Sequence, residues 1–404
     1  MRERLAELEH WWTSGRPAAL ATVVATSASA PLPVGSVMAV GPRGEVIGSV
    51  SGGCVEAAVY AECVDAMSTG RPALMHYGFS DDDALAAGLT CGGTLDVLVT
   101  RFDGERFPGF GELVGLIAAD VPVAVVTVLD GEPDAAGAEI GARMVVAEDS
   151  SRESRSRGST GSAEVDAAIF TALPALLAAG ESGVHTLPAG RGCAAGTVRV
   201  FTQVFVPRRR LIVFGATDFA VALTAAGAFL GYRVTLCNAR PVFAAPDRFP
   251  AADEVVRRWP HEYFADELAA GRINARTAVC VLTHDERFDR PLLTLALESG
   301  AAGYLGAMGS RRTHERRLAD LREDGVSEEA LVRLHSPIGL DLQARTPQET
   351  AVSIVAEILA DRGGGTGRPL AAVPGAIHSA GGRSTSTPEA RSPHSTARTV
   401  VEAR

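Results

Sequence analysis

Three features of the sequence predict an α/β protein in two parts. From Arg210 onward, apolar strand-like runs alternate with helical runs, the signature of a parallel sheet covered by helices. Before residue 207 the strand-like runs are short and broken by few helices, which predicts an α+β domain. Between a strand and a helix of that first part lies Gly48-Ser49-Val50-Ser51-Gly52-Gly53-Cys54-Val55-Glu56, a turn whose glycines permit close approach to a ligand. The expected division is a first domain over 1–206, a second over 207–362 and a disordered tail over 363–404.

Length and composition narrow the function classes. A chain of 404 residues, 46% hydrophobic and 21% charged, has material for two full cores. A net charge of −10 excludes nucleic acid as the main partner, since phosphate binding needs a basic face. No run approaches the roughly 20 apolar residues that cross a bilayer, and the N-terminal stretch has no apolar leader core. Neither a membrane partner nor secretion is expected. The six cysteines form no C-x-x-C pair, which argues against a bound metal such as zinc, and a disulfide framework is implausible with this much core. A reducing, cytoplasmic setting follows.

In the first part, residues 2–14 read as a helix with Leu5, Leu8 and Trp12 on one face, and 18–26 as a buried strand. Residues 37–40 and 45–50 read as a hairpin turned at Gly41-Pro42-Arg43-Gly44. A helix over 55–67 is stopped by Gly70, and Ser80 with Asp83 reads as a helix cap rather than an acidic metal site. Strands over 94–101 and 121–130 and a helix over 164–179 follow. The polar Arg/Ser run, about 149–163, reads as a mobile surface loop.

In the second part, strands are expected over 211–214, 233–237, 277–282 and 301–305, with helices over 218–230, 287–299 and 311–323. The last helix is the best marked. Thr346 is its cap, Pro347 opens it, Glu349 completes a capping box, and the Gly363-Gly364-Gly365 run ends it.

Candidate chemistry gathers at a few turns. Cys91-Gly92-Gly93 mirrors Gly52-Gly53-Cys54. Free N–H groups at a helix start favour an anion and stabilise a thiolate. Ser51, Gly52, Gly53, Cys54, Glu56, Cys91, Gly92 and Gly93 are therefore candidate cofactor contacts, with Cys54 and Cys91 as candidate sulfur relays. The alternative is that both cysteines are small residues in tight turns. Cys63, Cys237 and Cys280 read as packing residues.

Gly215-Ala216-Thr217-Asp218-Phe219-Ala220 stands where a Rossmann-like domain places its G-x-G-x-x-G/A phosphate turn. Thr217 replaces the second glycine, and Asn238 replaces the carboxylate that holds a ribose, which counts against NAD(P). Gly215 stays a candidate contact. His284 and Asp285 follow a buried strand and read either as ligand contacts or as a capping turn. Ser310 and Arg311 open a helix after Gly309 and suit a phosphate, or simply face solvent. No set of residues reads as a complete catalytic centre.

Together these stretches resemble the XdhC/CoxI family of molybdenum-enzyme accessory proteins. The resemblance is carried by Gly48 through Glu56, Gly88 through Gly93, Thr283-His284-Asp285, Tyr304 through Arg312, Pro337-Ile338-Gly339-Leu340-Asp341 and Thr346 through Glu357. It implies a cytoplasmic maturation factor, a chaperone rather than an enzyme. Such a factor binds molybdenum cofactor (molybdopterin) transiently and assists its sulfuration and insertion into xanthine dehydrogenase or a related hydroxylase of the CO dehydrogenase type. It further implies a homodimer and a Rossmann-like second domain; a cysteine desulfurase or other sulfurtransferase is a candidate partner. The family's Gly-Ser-x-Pro-Arg loop reads Ala28-Ser29-Ala30-Pro31-Leu32 here, and its Gly-Ala-Gly-His turn reads Gly215-Ala216-Thr217-Asp218. The rival readings are an NAD(P)-dependent oxidoreductase and a scaffold that docks a sulfurtransferase to the client.

Overall fold

The structure, a computed structural model, describes residues 1–27, 32–78, 94–131, 138–148, 154–189 and 196–374. The Cys91-Gly92-Gly93 turn, Cys193, the loop 28–31, the cap expected at Ser80 and Asp83, and the tail from residue 375 lie outside them.

Helix α1 (Leu5–Thr13) opens the chain and buries Leu8 and Trp11. Strands β1 (Ala18–Ser27), β2 (Val37–Val40) and β3 (Val46–Gly48) form a meander. Helix α2 (Glu56–Thr69) crosses back, and β4 (Ala73–Tyr77) and β5 (Thr94–Phe102) complete an antiparallel sheet of order β3-β2-β1-β5-β4. The chain then repeats this unit. Helix α3 (Phe110–Ala118) is followed by β6 (Val123–Gly131), β7 (Arg143–Glu148) and β8 (Ser154–Gly158). Helix α4 (Ala163–Ala179), β9 (Gly183–Ala189) and β10 (Gly196–Phe205) complete a second antiparallel sheet of order β8-β7-β6-β10-β9.

The repetition extends to irregularities. The β1–β5 register shifts past Val24, and the β6–β10 register shifts past Leu129, the same place in each unit. Helices α2 and α4 both end on a left-handed glycine, Gly70 at φ 71° and Gly180 at φ 65°. Because side chains alternate along a strand, each sheet has two apolar faces to cover. Ala19, Ala21 and Val23 face α2 through Val59 and Cys63, and Val126 and Val128 face α4 through Ile169 and Leu173. The other faces meet each other through Val24, Leu98, Leu129 and Phe201, flanked by the cluster of Phe102, Phe107 and Phe110. The result is four layers, helix–sheet–sheet–helix.

The second part begins with β11 (Arg210–Phe214), α5 (Asp218–Phe229), β12 (Arg233–Cys237), β13 (Glu254–Val256) and α6 (Pro260–Ala269). It continues with β14 (Thr277–Val281), α7 (Glu286–Ser299), β15 (Tyr304–Ala307), α8 (Arg311–Glu323), α9 (Glu328–Leu331), β16 (Leu334–His335) and α10 (Pro347–Gly363). All pairings are parallel in the order β13-β12-β11-β14-β15-β16. The chain therefore starts in the middle, runs outward to β13, and returns to the other side at β14. The reversal leaves a crevice between the C-terminal ends of β11 and β14.

Three expectations need correction. The Arg/Ser run expected as a mobile loop supplies β8, an edge strand paired with β7, because its main chain completes the second copy of the meander. The strand expected over 301–305 is Tyr304–Ala307, since Gly300 ends α7 in the left-handed region and the next residues carry the chain back to the sheet. Residues 364–374, assigned to the disordered tail, are described and include a short 3-10 helix, Leu370–Ala372. Helices α3 and α6 and strands β13 and β16 were not expected at all.

Candidate functional site

The Gly-Gly-Cys turn joins β3 to α2 as the sequence suggests, but its N–H groups are not free. The Glu56 carboxylate, in the first turn of α2, folds back over the loop. It accepts from Ser49 Oγ at 2.5 Å, Ser51 Oγ at 2.5 Å, and the backbone N–H groups of Ser51 at 2.9 Å and Gly53 at 2.8 Å. Longer bonds come from Val50 N at 3.3 Å and Val55 N at 3.2 Å. Ser49 Oγ also takes the Gly52 N–H at 2.9 Å. Burial pushes the Glu56 carboxyl up. The Ser49 and Ser51 hydroxyls and the Ser51 N–H together outweigh it and bring it down to about 2.

Glu56, a candidate cofactor contact by sequence, is thus the turn's own internal anion. Sequence reasoning read the helix start as an open anion site and missed that a carboxylate of the same helix fills it. The main-chain N–H left over is that of Cys54, which takes part in no hydrogen bond among the described residues.

The repeated unit separates what is structural from what is particular in this turn. In the second copy Gly158 takes the place of Gly48, Ser159 that of Ser49, and Asp166 that of Glu56. Gly48 and Gly158 both have positive φ, 75° and 89°, each beside the first carbonyl of the second strand of its meander, Val37 or Arg143. Asp166 accepts from Ser159 Oγ at 2.7 Å, Thr160 N at 2.9 Å and Thr160 Oγ1 at 2.7 Å, the bonding pattern of Glu56. The carboxylate brace therefore belongs to the fold. Gly52, Gly53 and Cys54 do not, for the second copy has Ser162, Ala163 and Glu164 there, and Ser162 makes an ordinary helix cap.

Gly52 and Gly53 adopt φ of 76° and 124°, and a Cβ on either would meet nothing within 4 Å. Packing does not exclude side chains there. The positive φ disfavours them, and the surface above them stays open. Cys54 is half-buried against the core beneath α2. Cys63, Cys237 and Cys280 are buried, as expected of packing residues, and burial pushes the Cys63 and Cys237 thiols up to about 12.

In the second part, the crevice at the β11–β14 switch collects Gly215, His284 and Asp285. A Cβ on Gly215 (φ 114°) would stand 2.8 Å from Thr283 Cγ2 and 3.0 Å from the Leu282 carbonyl carbon, so close approach of two strand ends demands this glycine. Asp285 caps α7. Its carboxylate takes Arg287 N at 3.2 Å, the Arg287 guanidinium at 2.9 and 2.7 Å, and Arg240 at 2.9 Å. The Arg287 side chain foremost holds that carboxyl down at about 2. His284 lines a cavity of about 180 Å³ between α7 and α8, with Thr313 and Arg316 opposite. Ser310 caps α8 through Thr313 N at 3.1 Å, and Arg311 is exposed beside it.

The residues that break the dinucleotide pattern are committed locally. Thr217 Oγ1 caps α5 at Ala220 N, and Asn238 Oδ1 takes Arg240 N at 2.8 Å. Arg248 bridges Ala216 O at 2.9 Å and Asp218 at 2.7 Å. This turn lacks the glycine and the carboxylate by which NAD(P) is held, so the cofactor does not fit it and no step is assigned through one.

Sequence reasoning also missed two buried networks in the second part. Arg317 donates to Met308 O at 2.9 Å and Ser336 Oγ at 2.8 Å, pinning the loops after β15 and β16. Glu357 on α10 accepts from Tyr304 Oη at 2.6 Å and Gly339 N at 2.7 Å, while His335 stacks on Tyr304 with centroids 4.5 Å apart. For Glu357 the available signal was a charge inside the otherwise apolar period of α10; α8 is charged nearly throughout and gave none for Arg317.

Among the described residues no group of His, Cys, Asp and Glu side chains is placed to hold a metal ion, and no helix is long and apolar enough to cross a membrane.

Two family models match the chain. The family model described as "XdhC and CoxI family" matches residues 11–78 and 116–188, two stretches that run from the end of α1 to β4 and from the end of α3 to β9. The model described as "XdhC Rossmann domain" matches residues 211–358. The chain is 27% identical over 349 residues to the molybdenum cofactor insertion chaperone PaoD of Escherichia coli, covering 86% of this chain and 85% of that one. It is 34% identical over 170 residues to the E. coli protein YqeB, covering 42% of this chain and 30% of YqeB. A Bacillus subtilis protein described as a probable xanthine dehydrogenase subunit is 31% identical over 166 residues, covering 41% of this chain and 47% of that one. The chain thus spans under half the length of these last two relatives. A solved structure described as a xanthine dehydrogenase from Bacillus halodurans superposes with TM-score 0.66 over 92% of this chain and 98% of that one. At 23% identity it shares the fold.

Proposed function

The chain belongs to the XdhC and CoxI family, and from that premise we propose that it binds molybdenum cofactor as cargo and assists its insertion into a molybdenum hydroxylase. The observation that carries this reading is the match to PaoD along nearly the whole of both chains. The cargo site we assign is the Gly52-Gly53-Cys54 turn. Glu56 fixes the loop, the two glycines leave its surface open, and the Cys54 N–H and thiol are the groups left to meet the cofactor. Cys91, Gly92 and Gly93 complete the site in this proposal. Gly215, His284, Asp285, Ser310 and Arg311 form a second, weaker set on the Rossmann-like part. Assistance of sulfuration through Cys54 or Cys91, a client of the xanthine dehydrogenase or CO dehydrogenase type, docking of a sulfurtransferase, a homodimer and a cytoplasmic setting belong to the same proposal, as does a domain division near residue 206.

Purified protein incubated with released molybdenum cofactor and passed over a gel-filtration column tests the assignment. Wild type is expected to carry cofactor into the protein peak, and the Cys54→Ala, Cys91→Ala double variant to lose it and to fail in activating apo-hydroxylase. Retention and activation at wild-type levels by the double variant would remove the thiols from the mechanism.

One observation favours a second reading. Glu56 saturates most of the N–H groups of the turn, and Asp166 braces the second copy's turn through Thr160 N and two hydroxyls, which suits a structural turn in a scaffold that docks a sulfurtransferase to its client. A pulldown in which the double variant holds client without cofactor would support the scaffold.

A further inference from the structure

The two repeated sheets meet across a mainly apolar seam that also buries the neutral polar side chains Thr22, Thr100, Thr127 and Gln203 and one cation. Arg143 opens β7 and is only 7% exposed. Its counterpart in the first copy is Val37, so the fold itself does not require a charge there. The guanidinium donates through Nη2 to Thr100 Oγ1 at 2.6 Å and lies over the Phe107 ring, 4.9 Å from its centroid. Nη1 is buried with no partner, and no carboxylate pairs with Arg143 among the described residues.

Burial pulls this guanidinium down to about 10, so it still carries its charge at neutral pH. An unpaired buried charge is costly, and proteins normally meet it with a counter-charge. Arg143 also lines a cavity of about 190 Å³ that opens to solvent between the sheets. Thr100, Arg101, Arg106 and Ser159 share that wall. Arg101 is taken by Asp103 at 2.5 Å, whereas Arg106 is exposed and has no carboxylate partner among the described residues. Glu105 and Glu139 stand at the exposed rim, where solvent and salt screen them. A smaller space of about 10 Å³ on the other side of Arg143 has room for one water, which would satisfy Nη1 without neutralising the charge.

We propose that the cavity between the two sheets is an oxyanion-binding site, taking a phosphate or carboxylate group with Arg143 as its buried counter-charge and Arg106 at its mouth. Arg143 draws either group in by its charge, and the exposed Arg106 guanidinium presents parallel N–H donors that match the paired oxygens. The site is separate from the Gly52-Gly53-Cys54 turn and stands whether or not that turn carries cofactor.

Calorimetric titration of the full chain with sodium phosphate, and separately with sodium acetate, tests the site, with sodium chloride at matched ionic strength as control. Wild type is expected to bind at least one of the two saturably at one per chain, and the identity of that anion fixes the group the site takes. Arg143→Met is expected to abolish saturable binding. Arg106→Ala, a surface change that leaves the fold intact, is expected to weaken it about tenfold, the loss of one charge-assisted hydrogen bond. Absence of saturable binding of either anion to wild type overturns the proposal. So does wild-type affinity in Arg106→Ala together with wild-type affinity in Arg143→Met, or in Arg106→Ala alone should Arg143→Met not fold.

Discussion

Glu56 and Asp166 occupy the same position in two copies of one folded unit, and each carboxylate reaches back to brace the turn before its own helix. A brace kept in both copies is a property of the fold. The Gly-Gly-Cys sequence beside only one of them is then a property of that copy's function. The distinction yields opposite expectations for substitutions a few residues apart.

Glu56→Gln is expected to destabilise the protein by about 2 kcal/mol at pH 7, since several charge-assisted bonds are replaced by weaker ones while partial exposure limits the loss. The folded carboxyl is held at about 2 against an ordinary 4.5. A depressed folded value means stabilisation that is complete above 4.5 and lost as pH falls toward 2. Urea unfolding at pH 7, 4 and 3 should therefore show the gap between wild type and variant closing with acid. A constant gap would mean that the brace is not ionic.

Gly52→Ala and Gly53→Ala are expected to cost only about 1 kcal/mol each, the strain of a positive φ, because a Cβ at either place meets nothing. Under the cofactor proposal the same changes abolish cofactor retention on the gel-filtration column while the melting temperature moves by a few degrees. Loss of retention only in proportion to loss of fold would assign these glycines to structure alone.

Much of the fold was legible where local chemistry is decisive. Helix α8 lies at the predicted residues because Ser310 caps it, and α10 starts where the Thr346–Glu349 capping box places it. Gly70 ends α2 as expected. Helix α3 went unread because Gly111 and Gly115 weaken its propensity, and tertiary packing of Phe110, Leu113 and Ile117 overrides that. The repetition of the sheets was hidden because few side chains carry it, chiefly Gly48 with Gly158, Ser49 with Ser159, and Gly70 with Gly180; the rest is strand pairing, which many sequences satisfy. At the site, the sequence located the Gly-Gly-Cys turn but not its occupancy by Glu56. A carboxylate in the first turn of a helix reads equally well as a cap or a ligand until its direction is known.

Gly215→Ala is expected to cost about 3 kcal/mol, far more than the Gly52 and Gly53 changes, because its Cβ would press 2.8 Å from Thr283 Cγ2 and 3.0 Å from the Leu282 main chain. Thr217→Gly would restore the missing fingerprint glycine but remove the cap on α5. With Asn238 still in place of a ribose carboxylate, calorimetry is expected to detect no NAD or NADP binding below millimolar concentration in that variant. Micromolar binding would show that the glycine alone decides.

The network of Tyr304, His335 and Glu357 gives the second part a distinct pH response. His335 Nδ1 lies 3.4 Å from Glu357 Oε1, and Glu357 foremost lifts the imidazole above its ordinary 6.5 against the effect of burial. Burial pushes Glu357 up, but His335, Tyr304 and the Gly339 N–H outweigh it and hold it below 4.5. A raised histidine contributes stability that is complete below 6.5 and disappears as pH rises through its folded value, and a depressed carboxyl contributes above 4.5. The ion pair thus stabilises between these limits. Wild type should lose about 1 kcal/mol more than Glu357→Gln between pH 6 and pH 9, because the variant keeps a hydrogen-bonding group for Tyr304 and Gly339 but not the charge that holds the imidazole proton. Urea unfolding of both proteins across that range measures the difference directly, since every other titrating group contributes equally to the two curves. Parallel curves would mean that the imidazole proton is held by Asp361, whose Oδ1 lies 3.7 Å from His335 Nε2, or that His335 is held by its stack on Tyr304, and not by Glu357.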